Sequence, residues 1–213
     1  MENIQKQKPT YYVFCGIDGV LWDIESGHTI HGPYLSAIDN PVLKRESVLA
    51  LNLLLNSLEK NYDTKLVITS QRRKDLASCA TYLSAYHLNY DKPLFATRFI
   101  DGYRGEKILN FMQSEEQNPQ TAITLGDKLL SAIGKGRQNG TFDKYVVLDG
   151  GQSSRIKHQI PKERTIKTSL KKGALSIDDI INYLQANGLE IDEEYLANIA
   201  PKNTHLKDAK QMQ

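Results

Sequence analysis

Cysteine is scarce in this chain. Two residues in 213, Cys15 and Cys79, are too few for a disulfide framework. Cys15 lies in an apolar strand-like run and Cys79 in a helical pattern, so both read as buried thiols in a reducing compartment. Long apolar runs are also missing, and none reaches the roughly 20 residues that span a bilayer. The stretch Met1 to Pro9 is polar and has no secretory h-region. The expectation is a flexible lead over 1–10 and a cytoplasmic protein, with export by another route left open. Charge of one sign is lacking too: a net +2 does not by itself specify nucleic acid or a membrane surface.

What is present is an alternation of strand and helix patterns. Tyr11 to Cys15 reads as a first strand, followed by a polar turn with Gly16, Asp18 and Gly19. Asn40-Pro41 reads as a helix start, opening a helix to about Lys60 with a broad leucine face. Further strands are expected at Lys65–Thr69, Pro93–Thr97, Thr121–Leu125 and Lys144–Leu148, with a sixth at the edge near Arg164–Thr168. Helices are expected at about 75–85, from the 101–105 loop to near Gln113, and for two turns after Lys128. Leu175-Ser176-Ile177-Asp178-Asp179 has a capping box and a hydrophobic staple, and Asn187-Gly188 ends that helix. A short helical pattern then runs to about Ile199. This order implies an α/β fold: a Rossmann-like three-layer α/β/α sandwich with a mostly parallel sheet of five to six strands. The α/β domain is expected over 11–188, with a helical extension and polar tail over 189–213.

In open α/β sheets, ligands bind at the carboxyl ends of the strands. Three expected strands end there in polar residues: Gly16 and Asp18, Thr69 and Ser70, and Asp127. A cation, Arg104 or Lys107, opens the helix before the third. Two acids, a hydroxyl and a cation on one edge suit phosphoryl chemistry, in which acids hold Mg²⁺ and the others hold phosphate oxygens. Asp149 reads as a turn residue after its strand. His28 and His31 read as surface loop histidines, Trp22 as a packing residue, and Arg72 and Arg73 as a helix-start pair, either solvated or phosphate-binding.

These stretches resemble the motifs of the haloacid dehalogenase (HAD) phosphohydrolases. Ile17-Asp18-Gly19-Val20-Leu21 is similar to that family's DxDG[TV]L, and Leu66-Val67-Ile68-Thr69-Ser70 to its strand ending in Thr or Ser. Arg104, with Lys107 as runner-up, resembles the third motif, and Gly126-Asp127-Lys128-Leu129-Leu130-Ser131 the fourth, GDxxxD. The resemblance spans roughly Tyr11 to Gln185. It implies a HAD-like fold of the capless type, Asp18 as general acid/base, Thr69, Ser70 and Arg104 or Lys107 on phosphate, and Mg²⁺ on Asp18 and Asp127.

The chain departs from that pattern in two places. Gly16 stands where the family's nucleophilic aspartate would be, and glycine can neither attack nor coordinate through a side chain. Ser131 replaces the second acid of GDxxxD, which weakens the implied Mg²⁺ site again. The expected function is a degenerate phosphohydrolase that binds a phosphorylated ligand or protein partner. The alternative is a Mg²⁺-dependent phosphomonoesterase using Asp18 on a large substrate such as a nucleic-acid end, protein or glycan. No membrane partner is expected.

Overall fold

The computed structural model of the chain describes residues 8–22, 29–30, 40–70, 73, 75–97, 104–117, 144–150, 160–168 and 174–199. The expected strand at 121–125 and the helix after it lie outside these residues. Strands β1 (Thr10–Cys15), β4 (Asp63–Ile68), β5 (Phe95–Ala96), β6 (Tyr145–Asp149) and β7 (Thr165–Lys167) form one sheet in the order β5-β4-β1-β6-β7. Every pairing in it is parallel. A second, two-stranded sheet pairs β2 (Thr29–Ile30) with β3 (Asn40–Pro41).

Helices cover both faces of the larger sheet, giving the expected three-layer α/β arrangement. They are α1 (Arg45–Glu59), α2 (Leu76–Ala85), α3 (Arg104–Gln117), α4 (Ile177–Ala186) and α5 (Glu193–Ile199). Because β1 is buried on both sides, its residues alternate between two cores instead of between core and solvent. Val13 and Cys15 face a large cluster with Leu51 and Leu54 of α1, Tyr82 of α2, and Ile180 and Leu184 of α4. Phe14 faces a smaller cluster with Ile108, Phe111 and Met112 of α3. Among the described residues, no helix is long and apolar enough to cross a membrane.

One boundary differs from the sequence expectation. Asn40-Pro41 does not open α1: these residues pair antiparallel with Thr29–Ile30, and the helix begins at Arg45. The reason is tertiary. Leu43 is buried and the Lys44 N–H donates to the Leu21 carbonyl at 2.9 Å, so the chain is held extended until it has crossed the first loop. Proline suits such a short strand because it lacks a donor that a central strand would need.

Helix α1 is not apolar all round its buried surface. Ser47, Asn52 and Ser57 are also buried, and each is satisfied by the backbone of a different loop. Ser47 donates to the Leu175 carbonyl at 2.7 Å, and Ser57 accepts from Asp192 N–H at 2.9 Å. Asn52 donates to the His87 carbonyl at 2.9 Å and accepts from Asn89 N–H at 2.8 Å. These bonds hold the loop in which His87 takes a left-handed φ of 64°. Helix α4 starts as its sequence indicates, with a reciprocal capping box between Ser176 and Asp179. It ends before Gly188, whose φ of 62° needs no Cβ.

Deep in the main core the Tyr11 and Tyr183 hydroxyls hydrogen-bond at 2.8 Å. Burial raises the pKa of both phenols, and for Tyr183 the neighbouring Tyr11 raises it further. A raised folded value means the protonated form is the one folding favours. That stability is fully present below the unfolded tyrosine pKa of about 10 and is lost as pH climbs through the folded values. The urea midpoint should therefore fall between about pH 9 and about pH 11.5, and Tyr183→Phe should flatten the fall. Equal slopes in the two proteins would show that this pair is not the group being titrated.

Candidate functional site

The site is set by register. Cys15 pairs with Ile68 on one side and Leu148 on the other, so the next residues, Thr69, Gly16 and Asp149, stand abreast at the carboxyl end of the sheet. Ile68 pairs with Ala96, which extends the row to Thr97. Strands sit about 4.8 Å apart, so the four residues span about 14 Å. All four follow the phase of Phe14 and Val67 and so lie on the α3 face of the sheet.

The turn after β1 is pinned from several directions. The N–H groups of Val20, Leu21 and Trp22 all donate to the Ile17 carbonyl, at 3.2, 3.0 and 3.2 Å. Gly19 takes a φ of 75°, which a side chain would strain. A Cβ on Gly150 would lie 2.7 Å from the Asp18 carbonyl oxygen and 2.9 Å from Gly19 Cα, so the loops after β1 and β6 touch backbone to backbone. The Thr168 hydroxyl donates to the Gly19 carbonyl, and Leu175 N–H donates to the Val20 carbonyl at 2.7 Å.

Within this frame Asp18 is half-buried and its Oδ2 accepts from the Ser70 hydroxyl at 2.9 Å. The Thr69 and Thr97 hydroxyls are buried and have no hydrogen-bond partner among the described residues. Arg104, the first residue of α3, forms an ion pair through Nη1 with Oδ1 of Asp149. Asp149 itself is 0% exposed, and its Oδ2 has no partner among the described residues. Arg104 also borders Gly16: a Cβ there would lie 3.7 Å from Nη1 and 3.3 Å from Val20 Cγ2. Lys107 is half-buried one turn further along α3.

Arg73 is not a solvated helix-start residue. It is 4% exposed and lies before α2, donating through Nε to the Thr97 carbonyl at 2.7 Å and through Nη1 to those of Thr69 and Ser70 at 3.2 and 2.7 Å. It thus ties the ends of β4 and β5 together. Burial lowers its pKa, and the nearby Arg104 charge lowers it further. Cys15 is pushed the other way, raised mainly by burial and then by Cys79, against a lowering by Arg104. That thiol stays protonated and is no nucleophile at neutral pH.

The structure therefore brings together Gly16, Asp18, Thr69, Ser70 and Arg104. Asp127, His28, His31 and Arg72 lie outside the described residues. Asp149 departs from the expected turn residue. It is the last residue of β6, fully buried and paired to a cation. The sequence signal for it was a carboxylate directly ending an apolar strand before two glycines. Thr97 and Arg73 carried no such signal, because only strand pairing and the fold of the 70–75 segment place them.

A magnesium site is not composed by the described residues alone. They hold two carboxylates at this edge, one facing a guanidinium and the other a serine hydroxyl, and Gly16 supplies none. Among the described residues no three His, Cys, Asp or Glu side chains cluster closely enough to share a metal ion. Comparison of the chain with protein-family models, curated proteins and solved structures finds no match.

The two glycines of the site should respond differently to a methyl group. Gly16→Ala meets one side-chain methyl that can yield a few tenths of an ångström, so its cost should stay within about 1 kcal/mol. Gly150→Ala meets backbone and should cost about 2–3 kcal/mol or more. Urea unfolding of both proteins measures this, and equal costs would contradict the backbone contact.

Proposed function

We propose that the chain is a phosphatase-like protein that holds a phosphorylated ligand without covalent turnover. The observation that carries this reading is the pairing of Gly16 with Arg104. Covalent attack on phosphorus needs a side-chain nucleophile, and this position has no side chain. A guanidinium lies 3.7 Å from where one would begin. Arginine presents a planar fork of donors that matches phosphate oxygens, so the position suits holding an oxyanion better than attacking it.

Three further features support the same reading. The buried Thr69 hydroxyl has no partner among the described residues and can donate to a ligand oxygen. Arg104 opens α3, where the positive end of the helix dipole favours an anion. Arg73 adds a second positive charge nearby. In this reading Arg104 supplies the charge neutralisation that Mg²⁺ supplies in HAD enzymes, and the role of Asp18 is to orient Ser70. The likeness to that family rests on the motifs around Asp18, Thr69, Arg104 and Asp127, the last of which lies outside the described residues. Among the described residues, the acid beside β1 is Asp149.

Calorimetric titration with inorganic phosphate tests the reading directly. Binding should persist in chelator and be unchanged by added Mg²⁺. Arg104→Lys should weaken it about ten-fold, because a point charge replaces a two-donor fork. The protein should not hydrolyse an aryl phosphate. Magnesium-dependent hydrolysis that disappears in Asp18→Asn would overturn the proposal in favour of an active phosphomonoesterase.

A further inference from the structure

We propose that the ligand at this edge is an oxyanion that retains a proton there, so that the site takes phosphate or a phosphomonoester and rejects sulfate. This rests on the phosphate-holding reading above and adds a rule of selection to it.

The argument starts from Asp149. Its side chain is 0% exposed, Oδ1 faces Arg104, and Oδ2 has no hydrogen-bond partner among the described residues. An ionised carboxylate oxygen only accepts. Left unmet and away from water, such an atom costs more than the roughly 1–3 kcal/mol of a neutral group. Whatever binds beside it must bring a donor.

Register puts Asp149 next to the anion position. Asp149 and Gly16 are neighbours across β6 and β1 on the same face of the sheet. Arg104 Nη1 borders both, pairing with Asp149 and lying 3.7 Å from the Cβ position of Gly16. An oxyanion drawn to Arg104 therefore arrives beside an unpaired carboxylate oxygen. Fully deprotonated, it would set acceptor against acceptor in a buried place. With one proton kept, it donates that O–H to Asp149 Oδ2, while its other oxygens accept from Arg104 and from the unpaired Thr69 hydroxyl.

Phosphate and sulfate differ in this one respect. They share shape and tetrahedral geometry, but a phosphomonoester has its second pKa at about 6 and keeps a proton near neutrality at little cost. Sulfate and its monoesters have no proton to give at that pH. Sites whose buried polar group is left unpaired by an analogue can reject it by as much as about 10⁴-fold. The Arg104 side chain is 28% exposed, which admits some water and lowers the expected ratio to roughly 100-fold.

Titration of the wild-type protein with inorganic phosphate, sulfate, phenyl phosphate and phenyl sulfate, at one pH and ionic strength, tests this without any variant. The expected result is that each phosphate is held roughly 100-fold tighter than its sulfate counterpart. Comparing the inorganic ion with the ester tells whether the ligand is free phosphate or a phosphorylated molecule. Asp149→Asn offers an amide donor in place of the acceptor and should bring the ratio to within about three-fold of unity, provided its circular dichroism matches that of the wild type. Equal affinity of the wild type for phosphate and sulfate overturns the proton rule and leaves the phosphate-holding reading standing. Failure to bind any of the four overturns both.

Discussion

Strand β1 pairs on both edges, and its register with β4 and β6 is the constraint from which the carboxyl end of the sheet follows. Shifting either neighbour by one residue would turn its side chains to the opposite face. The two apolar clusters forbid this, because Val13 and Cys15 serve one core while Phe14 serves the other. The same register brings Thr69, Gly16 and Asp149 abreast. Packing in the interior thus sets the spacing of polar groups at the edge, where packing itself has little use for them.

The loops beyond that edge are held by contacts that tolerate no side chain. Gly19 and Gly150 touch through backbone atoms, and Thr168 ties to the same place from β7. This makes the turn around Asp18 a rigid part of the sheet. Arg104 reaches into this frame from α3, and its guanidinium meets Asp149, borders Gly16 and perturbs both Arg73 and Cys15. A buried charge pair is weak evidence for stability, since desolvation offsets much of the attraction. Its value here lies in fixing where positive charge stands relative to the one position in the row that has no side chain.

Much of this was legible locally. The capping box at Ser176 and Asp179 and the glycine after α4 are short-range signals, and each appears where its sequence places it. Thr69, Ser70 and Arg104 also came from strand ends and a helix start, which periodicity locates well. Asn40-Pro41 misled because a capping residue followed by proline describes a helix start and a short strand equally. The deciding contact, Lys44 to the Leu21 carbonyl, joins residues whose pairing no local pattern encodes. Arg73 misled for a similar reason: its three carbonyl partners converge only after β4 and β5 have paired.

The sequence by itself determined the fold class and the fact that Gly16 brings no side-chain nucleophile, because these depend on residue type and on patterning along the chain. Tertiary structure alone decided that, among the described residues, Asp149 ends the strand beside β1 with one oxygen unpaired, and that Arg104 borders Gly16. Those facts depend on which strands pair and on what burial leaves unsatisfied. Such non-local outcomes of packing are not written in any single stretch of chain.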